Sequence, residues 1–239
     1  MNKIIALWAI PRSVSTAFER IFIERGDFTI VHEPFSVSYY YSFERCSNRY
    51  SDVESQNEFS FSNVLANLIN SSSQGPLFLK DMAYHLKPKL NFETISNFEN
   101  TFIIRHPKYV LPSLYAMLPD FNMEEAGYQI QYELFQMATQ IHGENVIVID
   151  ADDLCDNPQA VVKAYCKALD IPFIQESLSW KEREVPEWDE WKSWHLDALS
   201  STSIRRNKKP EEPLSGKLLK AYNIFLPIYE EMYKFRLIP

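Results

Sequence analysis

The chain has 239 residues, 46% hydrophobic and 23% charged, which suffices for a single α/β domain over 1–239 with its own core. Its formal net charge of -8 and pI near 5.2 exclude nucleic acid and anionic membrane surfaces as main partners, so any anion must be held by a local basic pocket. Cys46, Cys155 and Cys166 are odd in number and lack C-x-x-C spacing, which predicts free thiols in a reducing, cytoplasmic setting and neither a disulfide frame nor a zinc site.

The apolar run Ile4 to Ile10 reads as a buried strand. It is too short for a signal-peptide core and has no small-residue cleavage site after it, and no later run approaches the roughly 18 to 20 apolar residues of a membrane span. Beyond Pro11, residues Val14, Ala17, Phe18, Ile21 and Phe22 recur at helical spacing, and Gly26 closes the helix. Between strand and helix lie Arg12, Ser13, Ser15 and Thr16, where a helix exposes unbonded amides and the positive end of its dipole. This P-loop-like strand-loop-helix suits an anion, held by the amides, the hydroxyls and the Arg12 charge. An ordinary turn with a serine N-cap is the alternative, because G-x-x-x-x-G-K-[ST] is absent.

Phe28 to Val31 is the second strand, and Pro34 stops it. His32 and Glu33 then stand at a strand's carboxyl end, where open α/β sheets bind ligands. Residues 36–76 read as a long excursion or lid, with Tyr39-Tyr40-Tyr41 and Phe43, a short Val64–Ile69 helical stripe and a loop from Ser71 to Pro76. Leu77 to Met82, Thr101 to Ile104 and Val146 to Ile149 supply three more strands, with a helix expected from Met123 to His142 and another opening at Asn157-Pro158. Strands alternating with helices predict a mainly parallel central sheet covered on both faces. In 180–214, Trp188, Trp191 and Trp194 read as core packing or as the wall of an acceptor pocket. Leu218 to Phe235 is expected to be a helix kinked at Pro227.

Arg105 ends the fourth strand, and Pro112 is expected near the start of the next helix, with Ser113 in its first turn. The guanidinium and the hydroxyl would then converge on one phosphate. Two anion sites on neighbouring strands suit a nucleotide with phosphates at both ends of its ribose.

These two elements resemble those of sulfotransferases that use 3′-phosphoadenosine-5′-phosphosulfate (PAPS). Pro11-Arg12-Ser13-Val14-Ser15-Thr16 stands where that family has P-[KR]-S-G-T-T around the 5′-phosphosulfate, with Val14 in place of glycine. Arg105 and Ser113 match the family's arginine and the serine eight residues later. Val146 to Pro158 resembles its strand, acidic-Leu and Asp-x-Pro segment, with Ala151 where many relatives have tyrosine. Arg205-Arg206-Asn207-Lys208 resembles the basic loop over the 3′-phosphate. The resemblance implies PAPS as co-substrate, PAP as product and no metal; no metal-ligand cluster is evident in the sequence either. It implies donor binding by Arg12, Ser13, Val14, Ser15, Thr16, Arg105, Ser113, Arg205 and Arg206, with Arg12 stabilising charge on the leaving oxygen.

The family's base histidine, two residues after a strand-end lysine, is replaced by Met82 after Lys80. Other branches of the family use a glutamate after the second strand, and Glu33 stands in that position, so the resemblance makes Glu33 the first choice of base, with His85 second, His32 third and Lys80 assisting the sulfuryl group. The expected acceptor is a small molecule, cationic or aromatic, carrying a hydroxyl or amine. Two other classes stay open: a nucleotide kinase or NTPase, with Asp150 as magnesium ligand, and a non-catalytic nucleotide-binding domain. Strand order and oligomeric state are not legible.

Overall fold

The computed structural model describes residues 2–206 and 213–239. Five strands, β1 (Ile4–Ala9), β2 (Thr29–His32), β3 (Leu77–Met82), β4 (Glu99–Ile104) and β5 (Ile147–Asp150), form one sheet in the order β2-β3-β1-β4-β5. Every pairing is parallel. All carboxyl ends therefore share one edge, where a ligand cleft is expected.

The helices are α1 (Ser15–Arg25), α2 (Ser36–Tyr41), α3 (Phe61–Ser72), α4 (Phe92–Ile95), α5 (Pro107–Met117), α6 (Tyr128–His142), α7 (Ala151–Asp156), α8 (Pro158–Ala168), α9 (Leu196–Leu199) and α10 (Gly216–Tyr233). Strand alternation sends Ile5, Leu7 and Ala9 to the face covered by α1 and α8, with Phe18, Phe22 and Tyr165. Ile4, Ala6 and Trp8 face the other core, with Leu111 of α5, Leu134 of α6 and Phe225 of α10. No helix among the described residues is long and apolar enough to cross a membrane. Cys46, Cys155 and Cys166 are free thiols.

Several element boundaries differ from those expected. The helix expected from Met123 begins at Tyr128, because Gly127 takes a left-handed turn (φ 82°) at its N-terminus. A Cβ there would meet Ile10 Cγ2 at 3.0 Å, so the glycine lets the chain pass close beneath the loop after β1. Pro112 lies inside α5, whose first position is taken by Pro107, so Ser113 sits a turn further along than the sequence suggested. A proline this deep costs a backbone hydrogen bond, which is tolerated here although the first turn was the expected site. Helix α10 spans Gly216–Tyr233 with Pro227 inside it, where the sequence suggested Leu218 to Phe235, and α3 extends to Ser72, shortening the loop before β3. Within 36–76, α2 and α3 bury Tyr39, Tyr40 and Phe61, so these parts of the excursion pack onto the fold.

Candidate functional site

After Ala9 the chain turns through Pro11 to Val14 into α1, with Arg12 (φ 61°) and Val14 (φ 68°) both left-handed. Such a turn gathers successive N–H groups on one concave side. Val14 stands in the glycine position and adopts a glycine's backbone, at a strain of about 1–3 kcal/mol for a β-branched residue. Two contacts hold it there: its carbonyl accepts from Phe18 N at 3.1 Å, and its side chain packs on the core beneath α1. Ser13 Oγ donates to the Ile10 carbonyl at 2.7 Å, so this hydroxyl braces the loop. Thr16 Oγ1 lies 3.2 Å from His195 Nδ1.

The Arg105–Ser113 segment closes on this loop. Arg105, just past β4, donates from Nη1 to the Arg12 carbonyl at 2.8 Å, while its buried Nε has no hydrogen-bond partner among the described residues. Ser113 Oγ accepts from Arg12 Nε at 2.8 Å. Arg12 also donates to the Trp194 carbonyl at 3.2 Å and faces Asp197 at 3.5 Å. Burial lowers the Arg12 pKa and Arg105 lowers it further, against the opposing Asp197. Arg205 lines the same cleft. Arg206 instead pairs with Asp152 at 3.0 Å and with Asp156 of α7. Asn207 and Lys208 lie outside the described residues.

On the other flank, β2 and β3 end in charged residues. Glu33 is left-handed (φ 45°), donates its N–H to the Lys80 carbonyl at 2.8 Å and forms an ion pair with the fully buried Lys80 ammonium. Burial pushes the Glu33 carboxyl up, but Lys80, His32, His85 and His195 outweigh it and hold the group well below the usual carboxylate range. Asp81 accepts from Phe35 N at 2.7 Å, Met82 N at 2.8 Å and His85 Nδ1 at 2.6 Å. Burial raises its pKa despite these partners. His85 Nε2 is buried with no partner among the described residues. The side chain thus has one nitrogen fixed by a carboxylate and the other unspent.

Arg12 to Ala17, Arg105 and Arg205 share one cleft of about 1160 Å³, part of it open solvent, with Glu33, His85, Tyr40, Tyr50, Tyr84 and Trp191. The Trp stripe divides between the two readings. Trp188 is fully buried, whereas Trp191 and Trp194 line the cleft. Asp150 caps α7, accepting from Asp152 N and Asp153 N, and accepts from Tyr229 Oη at 2.9 Å. Burial raises its pKa to about 6.

Sequence reasoning missed His195 and Glu19. Glu19 Oε2 accepts from His32 Nδ1 at 2.7 Å, and His32 Nε2 meets His195 Nε2 at 3.0 Å. The only local signal is a charged residue beside the buried stripe of α1 and a histidine directly after the Trp stripe. Among the described residues, two groups bring possible metal-ligand atoms within 4.8 Å of one another, His32-Glu33-His195 and Glu33-Asp81-His85. Both share Glu33, whose Oε1 is already taken by the Lys80 ammonium.

The family profile described as a sulfotransferase domain matches residues 2–234. The chain belongs to the sulfotransferase domain family. Among solved structures, the sulfotransferase domain of the Synechococcus PCC 7002 olefin synthase superposes with a TM-score of 0.59 at 14% identity, covering 99% of this chain and 96% of that one. The sulfotransferase domain of the curacin biosynthetic pathway gives 0.54 at 16% identity, covering 100% and 93%. These likenesses show that the α/β architecture is a sulfotransferase fold.

Two Arabidopsis thaliana proteins are also similar to this sulfotransferase-domain chain. Branched-chain-amino-acid aminotransferase-like protein 1 is 29% identical over 213 residues, covering 87% of this chain and 37% of its own length. Branched-chain-amino-acid aminotransferase-like protein 2 is 26% identical over 202 residues, covering 84% and 36%. The chain spans little more than a third of the length of these curated relatives.

Proposed function

We propose that this sulfotransferase-domain chain moves a sulfuryl group from PAPS to a hydroxyl or amine of a small molecule. The observation that carries the reading is the shared cleft. The Arg12–Thr16 loop, Arg105 and Arg205 line one flank, and Glu33, His85 and aromatic rings line the other. A bisphosphate nucleotide suits the first flank: the 5′ end at the loop amides, Arg12 and Thr16, the 3′-phosphate at the unspent Arg105 Nε and at Arg205 of the same cleft, with Ser113 holding Arg12 Nε.

The acceptor suits the second flank, against Tyr40, Tyr50 and Trp191, whose ring centroids lie 5.1 to 6.2 Å apart. His85 is the better base of the two leading choices. Asp81 fixes its Nδ1–H, leaving Nε2 to take the acceptor proton. Glu33, tied to Lys80 and held strongly ionised, has little affinity for that proton. As the acceptor oxygen or nitrogen bonds to sulfur, the bond from sulfur to the bridging oxygen breaks. Negative charge then grows on the leaving phosphate beside Arg12 and the loop amides, and PAP departs.

Incubating the protein with PAPS and a panel of phenols, alcohols and amines tests transfer directly. Calorimetry with PAP and with ATP, each with and without magnesium, tests the donor. Metal-independent PAP binding supports the reading; magnesium-dependent ATP binding without PAP binding would replace it with a phosphotransferase. Tight PAP binding with no transfer across the panel would leave a nucleotide-binding module. Asp150 disfavours the phosphotransferase, because the carboxylate that class needs on magnesium is engaged in capping α7 and binding Tyr229.

A further inference from the structure

Glu19, His32 and His195 form a hydrogen-bonded chain that ends on the anion loop, and sulfuryl transfer as described gives none of them a task. Glu19 Oε2, buried on α1, accepts from Trp188 Nε1 at 2.8 Å and from His32 Nδ1 at 2.7 Å. The two imidazole rings meet through their Nε2 atoms at 3.0 Å with an interplanar angle of 90°. The far nitrogen of His195 reaches Thr16 Oγ1 at 3.2 Å.

The end group fixes the proton positions along the chain. A neutral His32 keeps its proton on Nδ1 for Glu19, so its Nε2 accepts from Nε2–H of His195. His195 Nδ1 is then bare and accepts the Thr16 hydroxyl hydrogen. Adding one proton reverses the chain: His195 gains it on Nδ1 and passes its Nε2 proton to His32. His195 Nδ1–H now donates to Thr16 Oγ1, and the Thr16 hydroxyl hydrogen is free for an anion in the cleft.

We propose that Glu19, His32 and His195 are a proton-linked orienting device, in which entry of a phosphate-bearing donor draws in one proton and turns the Thr16 hydroxyl toward the phosphate. The proposal rests on the PAPS reading above. Its surroundings agree with it. Burial and the neighbouring Lys80 and His32 lower the His195 pKa to about 2, so that ring stays neutral, and the Glu19 carboxylate 2.7 Å from His32 Nδ1 is the countercharge at the other end of the chain. The charged groups around the pair are Glu19 from α1, Glu33 just after β2 with Oε1 at 3.6 Å from His32 Nε2, Lys80 from β3, Arg12 from the loop and Glu190 from the Trp stripe. A metal between the two Nε2 atoms would need Glu33 Oε1 as third ligand, and that oxygen already carries the Lys80 ammonium.

Calorimetry of PAP binding to the whole chain, at several pH values in buffers of different ionisation enthalpy, tests the device. The expected result is uptake of about one proton per PAP, with affinity falling about tenfold per pH unit as pH rises through the window of uptake. The phosphates of PAP lose protons on meeting a cationic site, which is the opposite sign. Thr16→Val should bind PAP without the uptake and Thr16→Ser should keep it. PAP binding with no proton uptake overturns the device and leaves the donor reading intact; no PAP binding overturns both. A stoichiometric metal ion in the purified protein, found by elemental analysis and lost in His195→Asn, overturns the device in favour of a metal site.

Discussion

Arg12 Nε donates to Ser113 Oγ across 2.8 Å, joining residues 101 apart in the chain. With Arg105 donating to the Arg12 carbonyl, the loop after β1 and the segment after β4 are one structure, and Arg12 is the residue common to both bonds. Arg12→Ala should lower kcat by about 10²-fold or more, the scale of losing a preorganised charge donor. Arg12→Lys should recover part of it, since it keeps the charge and loses the fork. Sulfuryl-transfer kinetics check the first expectation; a variant with undiminished kcat would remove Arg12 from the mechanism.

His85→Gln should lower kcat by about 10²–10⁴-fold while PAP affinity changes little. The comparison that matters is Asp81→Asn, which leaves the imidazole in place without its carboxylate. A similar loss in both variants, read as kcat against the PAP dissociation constant, identifies the pair as the base. Full turnover in His85→Gln would return the role to Glu33.

Glu33→Gln strands the buried Lys80 ammonium and should cost about 3–5 kcal/mol in urea unfolding. Replacing both, as Glu33→Gln with Lys80→Met, should cost less than the single change. A double variant no more stable than Glu33→Gln would show that the ion pair is not the reason for the loss.

Acid should destabilise the protein in two overlapping windows, the first opening below about 6.5 and the second below about 4.5. His195 is lowered from 6.5 to about 2, so the stability from keeping it neutral is complete above about 6.5 and falls as the unfolded chain takes up protons below it. Glu33 is likewise held below the ordinary glutamate value of 4.5, so its contribution is complete above that value and is lost at still lower pH. Thermal unfolding across pH 3–8 should therefore lose its upper slope in His195→Asn and its lower slope in Glu33→Gln.

Val14→Gly should be close to neutral, within about 1 kcal/mol, because relief of left-handed strain offsets lost packing and the added freedom of the unfolded chain. Gly127→Ala should destabilise by about 1–3 kcal/mol, since the added Cβ would press on Ile10 Cγ2 at 3.0 Å from a left-handed backbone. Chemical denaturation measures both, and a clear loss in Val14→Gly would show that packing of the valine outweighs its strain.

The strands were legible because each is a short β-branched or aromatic run with a clear stop, as in Phe28 to Val31 before Pro34. The turn from β1 into α1 was legible because the apolar run stops at Pro11 and helical spacing resumes at Val14. Pro112 misled because sequence rules put proline in a first turn, and Pro107 already held that position. The start of α6 was missed because Gly127 answers to the approach of Ile10, a contact absent from local pattern. The His32–His195 contact joins residues 163 apart. Neither histidine's neighbourhood carries a sign of the other.

The Glu33–Lys80 pair stands between the His85 side and the His195 side of the cleft, its carboxylate within reach of both groups. One ammonium therefore sets the field on each side. An acceptor that pulls Lys80 away from Glu33 changes the charge that His195 and the anion loop experience, and a donor that pulls on the same ammonium changes what the acceptor meets. By thermodynamic reciprocity each substrate must then alter the other's affinity by the same factor. On the proposed reading, the two substrates would then be coupled through a single buried side chain, without any movement of the sheet.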